Sequence, residues 1–155
     1  MAEQKAVAVG KKIKDFTLKD QNGQDFRLAN FLGRKVLLSF HPLAWTSICA
    51  QQMKDLEKNK KAFDKVNTVA VGLSVDSVPS KAAWAKQLKI TKTSLLADFW
   101  PHGQVAKTLG ILRAEGFSER ANIIIDEKGK VMYVKVYPIK QLPDLEEILQ
   151  VLRAG

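Results

Sequence analysis

The chain contains a single cysteine, Cys49, in the stretch His41–Ala50, HPLAWTSICA, directly after the apolar run Lys35–Phe40. A lone cysteine is most often a small packing group, so its surroundings decide whether it is a reagent. Here the residue falls where a buried strand gives way to the first turn of a helix. Unpaired backbone N–H groups and the positive end of the helix dipole favour a thiolate at that point. Thr46 stands three residues earlier, placed either to cap the turn or to aim its hydroxyl at a bound oxygen, and Pro42 stiffens the loop. The chemistry on offer is that of an activated sulfur nucleophile.

Elements that could hold such a loop alternate along the chain. Phe16–Leu28 reads as an N-terminal hairpin turning at Asn22-Gly23, a dipeptide that supplies positive φ. Lys35–Phe40 is a continuous apolar run suited to a strand covered on both faces. Beyond Cys49, Met53, Leu56 and Phe63 share one helical face. Asn67–Asp76 predicts the next buried strand, Pro79–Ile90 a helix with proline in its first turn, and SLLAD a short strand. Gly103–Gly110 predicts a short helix, RANIIID and VMYVKVY a strand hairpin, and LPDLEEILQVLRAG a terminal helix. The order predicts an α/β sandwich of thioredoxin-like topology, with a mixed central sheet and an N-terminal β-hairpin. Cys49 then lies at the carboxyl end of a central strand, where open α/β sheets place their ligands.

Pro42, Thr46 and Cys49 match the pattern Pro-x-x-x-Thr-x-x-Cys, and by it the chain resembles the peroxiredoxins, thiol peroxidases with a thioredoxin-like fold. The similarity runs from the N-terminal hairpin through SVDSVPSKAAWA to ERANIIID. It implies that Cys49 attacks one oxygen of a peroxide while the other departs as hydroxide or alkoxide, and that the arginine just before the late strand, Arg120, is catalytic. Pro42, Thr46, Cys49 and Arg120 are therefore the expected catalytic residues, with Thr46 and Arg120 also binding the substrate. Lowering a thiol's pKa raises the thiolate fraction but costs intrinsic nucleophilicity. Most of the acceleration must then come from donors aimed at the developing oxygen charge: Arg120, the Thr46 hydroxyl and the amides around Cys49.

With no second cysteine, the sulfenic acid so formed has no internal resolving partner. The resemblance is thus to one-Cys peroxiredoxins, most like the bacterial AhpE-like branch, and implies an external thiol or thioredoxin-like reductant and a homodimer. No cofactor is expected, and one cysteine with two histidines offers no metal-ligand cluster. The chain departs from the family pattern at His41, where many relatives carry an aromatic, at Ala50, and at Gln52, where many carry glutamate. Gln52 can hydrogen-bond but cannot act as acid or base. His41 and Gln52 are kept as additional substrate-binding candidates, with a structural role the alternative for His41. Trp45 and Trp84 read as packing groups, wall and scaffold of the pocket, and His102 is assigned no role.

A chain of 155 residues with 46% apolar content suits one domain, residues 1–155. The net charge of +9 permits nucleic-acid or membrane contact, but the lysines are scattered. The groups KKIK and KNKKAFDK lack the interleaved aromatics of a single-strand binding platform, so they read as solvated surface. The opening MAEQKAVAVGKK is too short in apolar residues for a signal-peptide core, and the chain reads as cytoplasmic, with no membrane or nucleic-acid partner. The competing class is a non-catalytic thioredoxin-fold redox sensor or chaperone-like protein acting through Cys49.

Overall fold

Residues 5–155 are described in the computed structural model, so the first residues of the opening stretch lie outside the described residues. Strands β1 (Thr17–Lys19) and β2 (Asp25–Arg27) pair antiparallel in the predicted hairpin. Of the turn dipeptide only Gly23 takes a positive φ, 75°, and Asp20 closes the turn by accepting the amides of Asn22 and Gln24. Strand β3 (Lys35–Phe40) is buried at every residue, as its unbroken apolar run requires.

Helix α1 (Ser47–Lys58) follows the Cys49 loop, and α2 (Lys60–Lys65) continues it. The single helix expected through Phe63 is broken at Asn59, which leaves helical geometry and donates its side-chain amide to the Asp55 carbonyl. Met53, Leu56 and Phe63 are nevertheless all buried on one side. Strand β4 (Thr68–Ser74) leads to α3 (Val78–Leu88), capped by the Ser77 hydroxyl. Then come β5 (Ser94–Ala97), α4 (Gln104–Thr108), the hairpin β6 (Arg120–Ile125) and β7 (Val131–Tyr137), and α5 (Leu145–Ala154), capped by Asp144.

One mixed sheet runs in the order β2-β1-β5-β4-β3-β6-β7, with β3, β4 and β5 parallel and β6 antiparallel to β3. Apolar residues cover both faces. Val36, Leu38 and Phe40 pack with Val105, Ala106 and Leu109 of the α4 segment, whereas Leu37 packs with Met53, Leu56, Trp84 and Leu149 from α1, α3 and α5. Close seating of α1 depends on Gly72 of β4, where a Cβ would stand 2.2 Å from Met53 Sδ. Removing a side chain at that point lets the helix carrying Cys49 lie down on the sheet.

Candidate active site

Strand alternation sends Leu37, Ser39 and His41 toward α1, and Arg120, Asn122 and Ile124 of β6 toward the same layer. Cys49 is the third residue of α1 and only 1% exposed. Thr46 occupies the N-cap position but does not cap; its hydroxyl donates to the Leu43 carbonyl at 3.0 Å. Two consequences follow. Among the described residues, the amides of Ser47, Ile48 and Cys49 have no acceptor and stand free at the helix end. The Thr46 oxygen, its proton already engaged, faces a ligand as an acceptor rather than as the donor expected from sequence.

Arg120 opens β6 with 3% exposure, and its guanidinium reaches across to α1. Its Nη1 donates to Cys49 Sγ at 3.3 Å and to Gln52 Oε1 at 2.8 Å, while Nε donates to the Ile139 carbonyl at 2.9 Å. Gln52 is itself fixed, because its Nε2 donates to Ser39 Oγ at 2.8 Å and to the Phe40 carbonyl at 3.1 Å. One side chain one turn along α1 therefore sets the angle of the arginine that touches the sulfur. A carboxylate is not needed for that, since an amide oxygen accepts equally well in this geometry.

A pocket of about 250 Å³ opens onto the sulfur, lined by Pro42, Leu43, Thr46, Ile48, Cys49, Phe117, Arg120, Ile139 and Lys140 among others. The structure thus brings Pro42, Thr46, Cys49 and Arg120 to one cavity. It does not bring Gln52 or His41 there as substrate-binding groups. Gln52 is buried behind Arg120 with its amide committed on both sides. His41 is fully buried and turned inward, its ring tilted on Trp84 at 5.3 Å between centroids. Neither tryptophan lines the pocket: Trp84 is core, as expected, whereas Trp45 is 49% exposed and donates its indole N–H to Ser80 Oγ. Sequence reasoning missed the apolar wall at Phe117 and Ile139 and the cation Lys140, which reach the pocket from separate loops.

A second omission lies deeper. Lys81 of α3, far from solvated, is fully buried, and its Nζ sits 3.2 Å from His41 Nε2. Burial pushes the Lys81 ammonium down to about 7, against partial support from the charges of Asp76, Cys49 and Asp98. Burial, then the Lys81 charge, holds His41 well below the usual imidazole range. A signal was available in the sequence, because Lys81 precedes Trp84 and Ala85 by three and four residues and so shares their buried helical face.

The AhpC/TSA family matches residues 9–134 of the chain. The chain is similar to the alkyl hydroperoxide reductase E of Mycobacterium tuberculosis, 36% identical over 130 residues that cover 83% of this chain and 84% of that one. It is similar to peroxiredoxin 2 of Sulfurisphaera tokodaii, 33% identical over 161 residues, 99% of this chain and 75% of that one. Among solved structures, the reduced 2-Cys peroxiredoxin of Plasmodium vivax superposes with a TM-score of 0.87 at 29% identity, covering 94% of this chain and 80% of that one. A thioredoxin-like sheet, a Pro-x-x-x-Thr-x-x-Cys loop closed by an arginine, and a family match over most of its length together establish that this chain belongs to the AhpC/TSA family, the peroxiredoxins.

Proposed function

We propose that the chain is a one-Cys thiol peroxidase in which Cys49 is the peroxidatic residue and Arg120, Thr46 and the free amides of the α1 turn bind and polarise the peroxide. The observation that carries this reading is the contact of Arg120 Nη1 with Cys49 Sγ at 3.3 Å on the wall of a pocket. A guanidinium there favours the thiolate, and the same donor can follow the charge as it passes to oxygen. The Thr46 oxygen accepts the hydrogen of the peroxide and so orients the oxygen to be attacked. Pro42 forms part of the wall. The thiolate forms an S–O bond as the O–O bond breaks, and the departing hydroxide or alkoxide takes up a proton. Sulfur is oxidised by two electrons to sulfenic acid, and an external thiol or thioredoxin-like protein returns it to the thiol.

The pocket walls, Leu43, Ile48, Phe117 and Ile139, support hydrogen peroxide and alkyl hydroperoxides as substrates. Leu43, Trp45, Phe99 and Trp100 are exposed apolar residues that follow the parallel strands β3 and β5 at one end of the sheet, and they support a homodimer. The test is peroxide consumption with a dithiol present. Repeated turnover in the wild-type chain and none in Cys49→Ser is expected, whereas a single stoichiometric oxidation without turnover would mark a redox sensor.

A further inference from the structure

Lys81 is a buried lysine without an ion pair: among the described residues no carboxylate reaches salt-bridge distance of its Nζ. Its neighbours are His41 Nε2 at 3.2 Å and the Trp84 ring at 5.9 Å. Asp76, in the loop after β4, spends its carboxylate on the Ala44 amide at 2.8 Å and the Ser74 hydroxyl at 2.5 Å. Asp98, after β5, accepts the Val105 and Ala106 amides, and burial raises its pKa. Arg120, from β6, adds positive charge on the His41 side. The remaining anion that acts on Lys81 is Cys49 of α1. Two cations 3.2 Å apart in a dry interior repel too strongly to coexist, so Lys81 and His41 hold at most one proton between them. When the proton is on Lys81, His41 accepts through Nε2 and carries its own hydrogen on Nδ1, which has no partner.

We propose that Lys81, held by His41, is a positioning residue for the active site: the couple carries its one proton while Cys49 is a thiolate and gives it up when the sulfur becomes a neutral sulfenic acid. This rests on the reading of Cys49 as the peroxidatic residue. The balance closes, because the reaction of thiolate with hydroperoxide to sulfenic acid and alcohol consumes one proton and the couple releases one, exchanged through solvent. The interior loses its anion and its cation together and is never left with either alone.

The test begins with carbon NMR of the lysine Cε in the reduced chain and in Cys49→Ser, with Lys81 assigned by its contacts with the Trp84 ring. Lys81 is expected to titrate near 7 in the reduced chain. Its midpoint should fall by about one pH unit in Cys49→Ser, where no anion can form. An equal midpoint in both chains overturns the coupling. Stopped-flow oxidation of Lys81→Met then reads the consequence: roughly tenfold slower than wild type at about pH 6, converging on it at about pH 9, where Lys81 is neutral. The same slowing at every pH means packing alone and overturns the proposal. If the variant does not fold, the titration decides by itself, since Lys81 is present in both chains. If the wild-type cysteine does not react with peroxide, the peroxidase reading fails, and the titration still decides whether the couple follows the charge on Cys49.

Discussion

Arg120→Lys separates charge from geometry, because it keeps one positive charge and discards the guanidinium fork. The native side chain satisfies three acceptors at once, Cys49 Sγ at 3.3 Å, Gln52 Oε1 at 2.8 Å and the Ile139 carbonyl at 2.9 Å. A single ammonium on an unbranched stem cannot meet all three in those directions. Leaving one buried acceptor unpaired costs about 1–3 kcal/mol, and for a chain of this size each kcal/mol lowers Tm by roughly 2–4 °C. The kinetic cost is larger relative to its own scale. Losing one aligned donor to a developing oxyanion removes about 3 kcal/mol of transition-state stabilisation, or roughly a hundredfold in rate. The assay is stopped-flow tryptophan fluorescence on mixing with peroxide, checked by alkylation of the residual thiol, beside a thermal melt. Arg120→Lys should be folded, modestly destabilised and oxidised about a hundredfold more slowly. Oxidation within threefold of wild type would show that net charge alone suffices and would refute the role given to the fork.

Thr46→Val removes the acceptor but keeps the shape, so peroxide oxidation of Cys49 should fall by roughly a hundredfold, while Thr46→Ser retains most of it; second-order rate constants decide. Gly72→Ala drives a methyl to 2.2 Å from Met53 Sδ, and urea unfolding should report a loss of about 1–3 kcal/mol. Lys81→Met carries a pH signature in stability. The native ammonium titrates at about 7 rather than the ordinary 10.5, so between those values the unfolded chain binds more protons and wild-type stability rises with pH. Below about 7 the whole penalty, at most about 5 kcal/mol, weighs on the wild type. Lys81→Met should therefore be the more stable chain at neutral pH, with the difference shrinking toward pH 10, as urea titrations at both ends of that range would show.

Much of the fold is legible in the sequence because periodicity and burial agree. Lys35–Phe40 has no polar alternation and is covered on both faces; Met53, Leu56 and Phe63 hold their face even though Asn59 breaks the helix between them. The core of the site is legible because Pro42, Thr46 and Cys49 are close in sequence, and because Arg120 marks the start of a strand that alternation then points inward. Less legible is whatever depends on side-chain direction across long sequence separation. The inward turn of His41 follows from strand alternation once Trp84 and Lys81 are known to pack over it, and nothing local reveals that packing. Thr46 occupies the position of a cap, yet its hydroxyl prefers the Leu43 carbonyl, a choice made by loop geometry around Trp45, whose φ is 71°. Gln52 reads as a lost acid and functions as the acceptor that aims Arg120.

The central claim is that Cys49 is the half of a peroxidase that takes oxygen from a peroxide and hands it to a thiol from another molecule. Mass spectrometry of the reduced chain after one equivalent of peroxide, before and after adding a thiol, tests this most directly. The account predicts the gain of one oxygen on the peptide containing Cys49, trapped by a sulfenic-acid reagent and removed by the thiol. An unmodified cysteine, or oxygen gained elsewhere in the chain, would contradict it.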